Sequence, residues 1–273
     1  MKILLTNDDG IKAPGLWAAV RALRQVGEVF VVAPDQEQSG VGASLTLRSP
    51  VRVTPAPVDP ALNGDGDGPY PVTAYSVEGT PGDSCILALE SLVGVVDLVV
   101  SGINAGSNLG WDVLVSGTVG GAIQGYVRGY PTIAISVGAV NNPQFEVAGR
   151  LLELTAQHLS HEPREASFFL NVNIPSLPLD RIGGLKVTQL GRRSYGESVR
   201  QEGPGPDKRY RISRNRPLSG VPLDGTDIWA LKNNFISVTP LQMSLGHPER
   251  VPEVENLMAG ISAQLLNQPG EKP

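Results

Sequence analysis

Short apolar runs alternate with segments of helical periodicity through the first two thirds of the chain. Residues 2–5 and 28–33 each hold a nearly continuous run of apolar side chains, as in strands that are buried on both faces of a parallel sheet. Apolar residues recur at helical spacing in residues 14–26 between them, where Pro14 suits a first helical turn and Gly27 a helix end. Strand, helix and strand in this order predict a βαβ unit and therefore a parallel sheet.

The same patterning predicts the elements that follow. We expect strands at residues 51–53, 73–77, 97–100, 132–137 and 168–172, and helices at 80–92, 116–128 and 145–158. After residue 185 the pattern becomes strand-like and rich in turns, and we expect strands at 185–190, 209–212, 228–231 and 235–239. An amphipathic helix is expected near the end of the chain, where apolar residues recur at helical spacing: Val254, Leu257, Ile261 and Leu265. These elements predict the α/β class, with a core in residues 1–180 and a β-rich arm and an amphipathic helix in residues 181–273, for which docking on a neighbouring chain is one interpretation.

Composition limits the kind of protein. The chain has 273 residues, of which 41% are hydrophobic, so it suits one large domain or a domain with an appendage. The net charge of −5 argues against binding nucleic acid by charge alone, and we expect no stable nucleic-acid partner. Cys85 is the only cysteine, no signal peptide is recognisable, and no apolar run reaches the length of a membrane span. We therefore expect a cytoplasmic protein without a membrane partner.

Three common motifs for dinucleotide, phosphate or calcium binding are absent from the sequence. No G-x-G-x-x-G follows the first strand, which disfavours a dinucleotide cofactor. Residues 116–122 lack the G-K-[ST] ending of a Walker A loop. Asp59, Asp65 and Asp67, in the Pro- and Gly-rich residues 55–71, do not match the EF-hand pattern, so we interpret this segment as an exposed loop.

Two adjacent carboxylates, Asp8 and Asp9, follow the first apolar run. Ligands of open α/β sheets bind at the carboxyl ends of the strands, where these acids are expected. Side by side and desolvated, they repel each other unless positive charge lies between them. A divalent cation would meet that need. In the alternative interpretation, Asp8 caps the next helix and Asp9 points to water.

Polar loops after two further strands are expected at the same edge of the sheet, because parallel neighbours end on the same side. Ser39, in the loop after the second strand, offers a hydroxyl to a metal or a phosphate, although serine is also a common turn former. Asn104 and Asn108 lie among glycines and serines after the strand at 97–100. Their amides can ligate a hard cation or hydrogen-bond a phosphate, although such clusters often only make turns.

A candidate phosphate cradle lies at residues 116–118. Ser116, Gly117 and Thr118 begin a predicted helix, whose free amides and hydroxyls suit an anion. A plain N-cap explains Ser116 equally well.

A basic segment, residues 192–216, is interpreted as a protruding β-hairpin or arm. Either it is a solvated arm that packs on a partner subunit, or it attracts an anionic substrate toward the acidic pocket.

Several separated motifs resemble the SurE (survival protein E) family of metal-dependent nucleotidases. They are Asn7-Asp8-Asp9-Gly10, Ala33-Pro34 with Gln38-Ser39-Gly40, Gly79-Thr80-Pro81, Ser101-Gly102-Ile103-Asn104 with Gly106 and Asn108, Ser116-Gly117-Thr118-Val119, and Thr226-Asp227 with Thr239-Pro240-Leu241. Each motif is weak alone, but in this order they are specific. The chain departs from the family pattern in the long Pro/Gly loop before Glu78 and slightly at residues 82–85.

The resemblance implies a Rossmann-like three-layer core and a homodimer or homotetramer with exchanged C-terminal elements. It implies hydrolysis of nucleoside 5′- and 3′-monophosphates, and leaves open an exopolyphosphatase activity. It also implies that the metal ligands are Asp8, Asp9, Ser39 and Asn104. Since all four offer oxygen, we expect one Mg²⁺ or Mn²⁺ per subunit rather than zinc.

In the expected mechanism the metal polarises the phosphoryl group and activates a water molecule. Asn108, Ser116, Gly117 and Thr118 are expected to hold the phosphate. Asp8 and Asp9 are the catalytic candidates, and the sequence does not decide which of them orients or deprotonates the water. Two alternatives remain: a phosphatase that forms an aspartyl-phosphate on Asp8, and a nucleotide-binding module without turnover.

Overall fold

The central element of the fold is a sheet in which β1 (Lys2–Thr6) lies near the middle. The computed structural model describes residues 1–62, 69–161, 167–192, 195–203, 208–217 and 223–266. Asp65 and Asp67, which were considered as calcium ligands, lie outside the described residues.

The bounds of the helices and strands follow the chain. They are β1 Lys2–Thr6, α1 Pro14–Leu23, β2 Glu28–Pro34, β3 Val53–Pro55, β4 Val72–Val77, α2 Pro81–Leu87, β5 Leu98–Ala105, α3 Gly117–Tyr126, β6 Thr132–Val137, α4 Glu146–His161, β7 Phe169–Ile174, β8 Leu185–Val187, β9 Tyr195–Glu202, β10 Arg209–Pro217, α5 Asp227–Lys232, β11 Ile236–Pro240 and α6 Val251–Leu266. A π-helical turn (Ala88–Leu92) continues α2, and a 3₁₀ helix (Gly110–Leu114) precedes α3.

The described strands form a nine-stranded sheet in the order β3-β4-β2-β1-β5-β6-β7-β11-β8. The run from β4 to β7 is parallel throughout. β3 and β11 pair antiparallel to their inner neighbours, and β8 is parallel to β11. The predicted α/β class with a mostly parallel sheet is confirmed.

Helices cover both faces of the sheet and give the predicted three layers. α1 packs beside α4 on one face, over the largest apolar cluster, which includes Leu5, Val100 and Val172. α2 packs beside α3 on the other face, over smaller clusters around Leu4 and Phe169. The strands near the centre are buried on both faces, which explains their continuous apolar runs.

One predicted strand is wrong. Residues 228–231 belong to the helix α5, which begins after the N-cap Thr226, whose hydroxyl accepts from the amide of Trp229. A short apolar run does not distinguish a strand from a buried helix, and here the cap decides. The predicted strand at 185–190 is also shorter, since β8 ends at Val187.

The chain divides into two compact units, Met1–Leu241 and Gln242–Pro273. β8 and β11 join the central sheet although they lie beyond residue 180, where the sequence suggested a boundary. The predicted hairpin is present as β9 and β10, which pair antiparallel. α6 belongs to the second unit, and no helix of the described ranges is both long enough and apolar enough to cross a membrane.

Candidate active site

The candidate site lies where the order of the strands reverses. From β1 the chain adds β2 and β4 on one side, and then returns to add β5, β6 and β7 on the other. The crevice between the carboxyl ends of β1 and β5 is therefore a topological switch point, the place where open α/β sheets bind ligands. Asp8 and Asp9 follow β1, and Asn104 lies near the end of β5.

Asp8 is almost completely buried, with 4% of its surface exposed. Its Oδ1 accepts a 2.5 Å hydrogen bond from the hydroxyl of Thr118 in the first turn of α3. Burial raises the pKa of Asp8 to about 6; the charge of Asp9 adds to this rise, and hydrogen bonds from Thr118 oppose it. A buried carboxylate with a raised pKa, beside a second acid, is typical of a site that receives positive charge.

Asp9 is less buried and connects the two strands of the switch point. Its Oδ2 accepts a 3.1 Å hydrogen bond from the amide of Ala105, the last residue of β5. Burial raises the pKa of Asp9, the Ala105 amide lowers it, and the nearby Glu37 raises it. Within the described ranges, neither Asp9 nor Asp8 forms an ion pair with lysine, arginine or histidine.

A row of glycines on α3 brings the start of the helix against Asp8. Gly117, Gly121 and Gly125 recur every four residues and lie on one face of the helix. A Cβ at Gly117 would lie 2.7 Å from the Cβ of Asp8, and a Cβ at Gly125 would lie 2.8 Å from the side chain of Val99. Glycine is therefore needed for α3 to lie this close to the sheet and to the carboxylate.

The loop after β2 carries Ser39 toward Asp8. The amide of Gln38 donates a 2.7 Å hydrogen bond to the main-chain carbonyl of Asp8. The hydroxyl of Ser39 is exposed and donates to Glu37 Oε1 at 2.9 Å, so the lone pairs of its oxygen remain available to a cation. Ser39 thus adjoins Asp8 through its neighbour Gln38.

Asn104 lies on the other side of the crevice and is 8% exposed. Its Nδ2 donates to the carbonyl of Gly106 at 2.6 Å, which fixes the carboxamide and leaves Oδ1 for a ligand. The next residue, Ala105, is the one that binds Asp9. The structure therefore connects Asn104 to the acids through the main chain of its neighbour.

Two donors at the start of α3 remain for an anion. The Ser116 Oγ accepts from the amide of Val119 at 3.2 Å, as an N-cap does, and its own hydrogen can still be donated. Gly117 is the first residue of the helix, so its amide has no partner one turn earlier. A Cβ at Gly117 would lie 2.7 Å from that of Asp8, so the start of the helix adjoins the carboxylate.

Asn108 and Thr118 form a chain of hydrogen bonds that ends on Asp8. The Asn108 Nδ2 donates to Thr118 Oγ1 at 3.3 Å and to Ser136 Oγ at 2.9 Å. The Thr118 hydroxyl hydrogen is in turn donated to Asp8. In this arrangement Asn108 and Thr118 hold the carboxylate of Asp8. The hydrogens of their side-chain donors are all used in hydrogen bonds within the protein.

Three polar residues of this region were not predicted from the sequence: Ser136 on β6, and Asn171 and Asn173 on β7. All three are fully buried. Both asparagines donate to the main-chain carbonyl of Asn108, at 2.8 and 3.0 Å. The signal in the sequence is the alternation of asparagine with apolar residues along residues 169–174, which places both amides on one face of a buried strand.

The donor set fits a hard divalent cation. Asp8, Asp9, Ser39 and Asn104 offer oxygen, two of them as carboxylates without a basic partner among the described residues. The described ranges contain no group of three or more His, Cys, Asp and Glu side chains that could hold a metal ion, so a cation here would need the hydroxyl and carboxamide oxygens of Ser39 and Asn104 beside the two carboxylates. Two carboxylates supplemented by neutral oxygens are what such a cation accepts.

The comparisons with known proteins identify the family of this chain. Residues 3–197 match the family model described as "Survival protein SurE". The chain belongs to the SurE family. Among SurE proteins, the 5′-nucleotidase SurE of Dehalococcoides mccartyi is 46% identical over 248 residues, which are 90% of each chain. The 5′-nucleotidase SurE of Alkalilimnicola ehrlichii is 41% identical over 263 residues, which are 96% of each chain.

A solved SurE structure shares the fold. The crystal structure of the SurE protein from Aquifex aeolicus superposes with a TM-score of 0.77 at 36% sequence identity, covering 94% of this chain and 100% of that one. The family resemblance inferred from the separated motifs is confirmed by these matches.

Proposed function

We propose that this SurE chain is a metal-dependent phosphomonoester hydrolase that acts on nucleoside 5′- and 3′-monophosphates. The observation that carries the proposal is the pair Asp8 and Asp9 at the switch point, of which Asp8 contacts the first turn of α3 and Asp9 the end of β5. Such a site offers negative charge for a cation and helix amides for a phosphate side by side. The names of the relatives, 5′-nucleotidase SurE, support the action on 5′-monophosphates.

One Mg²⁺ or Mn²⁺ per subunit would be held by Asp8, Asp9, Ser39 and Asn104. When bound, the cation would supply positive charge that polarises the phosphoryl group and makes a water molecule more acidic. The ester phosphate is held by the Ser116 hydroxyl and the Gly117 amide, the two donors left at the start of α3. Thr118 and Asn108 serve the same phosphate site by fixing Asp8 next to it.

Asp9 is the group proposed to orient and deprotonate the attacking water. Asp8 is buried more deeply, and its Oδ1 is bound by Thr118. Asp9 is partly exposed, and only its Oδ2 is held, by the Ala105 amide. Burial raises the pKa of Asp9, which brings it closer to that of an effective general base.

The activity is tested by a phosphate-release screen with AMP, 3′-AMP, other nucleoside monophosphates and polyphosphate, each with Mg²⁺, Mn²⁺ or a chelator. We expect phosphate from the nucleotides, loss of activity with the chelator, and loss in Asp9→Asn while the protein stays folded. Nucleotide binding without phosphate release would instead support a binding module. A phosphorylated Asp8 trapped during turnover would support an aspartyl-phosphate phosphatase.

A homodimer or homotetramer with exchanged C-terminal elements is part of the proposal. In support of it, α6 exposes several apolar side chains, among them Val254, Leu257, Ile261 and Leu265. The hairpin exposes Val199, Tyr210 and Ile212 in the same way. Apolar patches of this kind usually mark contacts with another chain.

Location in the cytoplasm also belongs to the proposal. It is supported by Cys85, which is a buried free thiol and suits a reducing compartment.

A further inference from the structure

A row of polar side chains crosses the sheet from the candidate metal ligand Asn104 outward. Asn104 on β5 pairs in register with Ser136 on β6, Ser136 with Asn173 on β7, and Asn173 with Ser237 on β11. All four are buried, and paired residues of adjacent strands point to the same face of the sheet. This row lies at the carboxyl ends of β5, β6 and β7 and at the start of the antiparallel β11, on the face that α3 covers.

Asn173 binds the main chain of Asn108 at two points. Its Oδ1 accepts from the Asn108 amide at 2.8 Å, and its Nδ2 donates to the Asn108 carbonyl at 3.0 Å. Asn171, two residues earlier, donates to the same carbonyl at 2.8 Å. The amide and the carbonyl of Asn108 are thus held by side chains rather than by a neighbouring strand.

The loop that contains Asn108 is connected to Asp8 by side-chain hydrogen bonds. Asn108 lies between β5 and the 3₁₀ helix at Gly110–Leu114, outside both elements. Its side chain hydrogen-bonds Thr118, whose hydroxyl hydrogen-bonds Asp8. A shift of the Asn108 main chain would therefore be transmitted through two side chains to the carboxylate.

We infer that Asn173 is a positioning residue for the phosphoryl-transfer site, acting through Asn108 and Thr118 on Asp8. The inference rests on the proposed nucleotidase function. Asn173 itself is fully buried on β7 and contacts the loop, so it does not touch substrate in this role. Its contribution is to fix the orientation of the Asp8 carboxylate, a proposed metal ligand, which a small displacement is enough to spoil.

The kinetic test compares Asn173→Ala with Val172→Ala, a matched control on the same strand. Val172 is 4% exposed and points to the opposite face, into the cluster beneath α1 and α4, so its truncation destabilises β7 without touching Asn108. We expect Asn173→Ala to lower kcat for AMP about 10- to 100-fold with KM within about threefold of the original, because orientation rather than binding is lost. Val172→Ala should leave kcat within about threefold. Equal losses of kcat in both variants, at equal losses of thermal stability, would overturn the inference.

The route through Thr118 is tested with Thr118→Val. If Asn173 acts by holding Thr118 on Asp8, Asn173→Ala should lower kcat by less than about threefold when it is introduced into Thr118→Val, since the same bond is already absent. If the two losses multiply, Asn173 acts by another route and the inference is wrong.

Crystal structures of the two β7 variants make the test independent of turnover. In Asn173→Ala we expect the Asn108 main chain to move and the Asn108–Thr118 hydrogen bond to be lost, whereas Val172→Ala should retain it. An unmoved Asn108 would contradict the inference. Absence of phosphate release from the original protein would instead contradict the proposed function. The position of Asn108 in the variant structures would still decide whether Asn173 positions Asn108.

Discussion

At the scale of single residues, Asp8 carries a conflict between stability and function. The carboxylate is buried beside Asp9, and the described residues give it no basic partner. Its pKa in the folded chain is about 6, compared with the ordinary 3.8, so the folded chain binds a proton more tightly than the unfolded chain does. Protonation of Asp8 therefore stabilises the folded chain. This stabilisation is complete at pH values below the ordinary pKa of 3.8 and is lost as the pH rises through the folded-state pKa of about 6.

We therefore predict that Asp8→Asn stabilises the metal-free protein at pH 8 while it strongly lowers the activity. The gain in the free energy of unfolding should be on the order of 1–3 kcal/mol at pH 8 and should vanish near pH 4, because the variant no longer buries a charge. Phosphate release should fall about 100-fold or more. Denaturant unfolding at both pH values, with a chelator present, measures the first effect, and a destabilised Asp8→Asn at pH 8 would contradict the account.

Thr118 gives a second prediction at this scale. Thr118→Val removes the hydroxyl that donates to Asp8 but keeps the volume of the side chain. A hydrogen bond to a charged group contributes about 1.5–3 kcal/mol, so kcat should fall about 10- to 100-fold. Thr118→Ser, the matched control, keeps the donor and should retain most of the activity. Equal kcat in the original protein, Thr118→Val and Thr118→Ser would show that this hydrogen bond does not contribute to catalysis.

The acids and the helix start of the candidate site could be proposed from the sequence because their motifs are local. Asp8 and Asp9 adjoin an apolar run, and Ser116 to Thr118 have the composition of a helix start. The roles of Asn171 and Asn173 could not be predicted in this way. Their partner, Asn108, lies more than sixty residues away in the chain, and only the register of the sheet brings them together.

At the scale of elements, α3 determines the geometry of the site, because its glycine face rests against Asp8 and Val99. Gly117→Ala and Gly125→Ala should both destabilise the protein, by about 1–3 kcal/mol, since each added Cβ meets neighbouring atoms. Only Gly117→Ala should also weaken Mn²⁺ binding, because only its Cβ meets the carboxylate of Asp8, at 2.9 Å from Oδ2. Titration of Mn²⁺ into each variant checks this difference.

The control for this comparison is Gly260→Ala in α6. A Cβ at Gly260 meets nothing within 4 Å, so the variant reports only the general preference of helices for alanine. It should leave Mn²⁺ binding unchanged and should not destabilise the protein. Equal Mn²⁺ affinities for Gly117→Ala and Gly125→Ala would contradict the placement of the site at α3.

Elements with a long or uniform pattern were predictable from the sequence. The strand at Thr132–Val137 has the predicted bounds, and the helix predicted to begin after Thr80 has a capping box at that residue. α5 was not predictable, because its apolar run is too short to show a period and the cap at Thr226 outweighs it. A local cap therefore decided this short element, and periodicity decided the long ones.

At the scale of the whole molecule, convergence of distant loops follows from the topology of the sheet. Parallel strands end at one edge, so the loops after β1, β2 and β5 meet there although they are far apart in the chain. This much could be predicted from the sequence. The reversal of strand order between β1 and β5, which selects the position along that edge, required the structure.

The exposed apolar face of α6 gives a prediction about assembly. Light scattering should give twice or four times the mass of one chain, because the face would otherwise remain in water. Leu257→Glu combined with Ile261→Glu should lower the measured mass, whereas Glu255→Ala on the same helix should not. A single-chain mass for the original protein would contradict the proposed oligomer.

The central claim is that loops from three strands form an oxygen cage for one divalent cation. The most direct measurement is anomalous diffraction from crystals soaked in Mn²⁺. The account predicts one strong peak per chain, about 2.0–2.3 Å from carboxylate oxygens of Asp8 and Asp9 and within coordination distance of Ser39 or Asn104. A peak at another place in the chain, with none between Asp8 and Asp9, would contradict it.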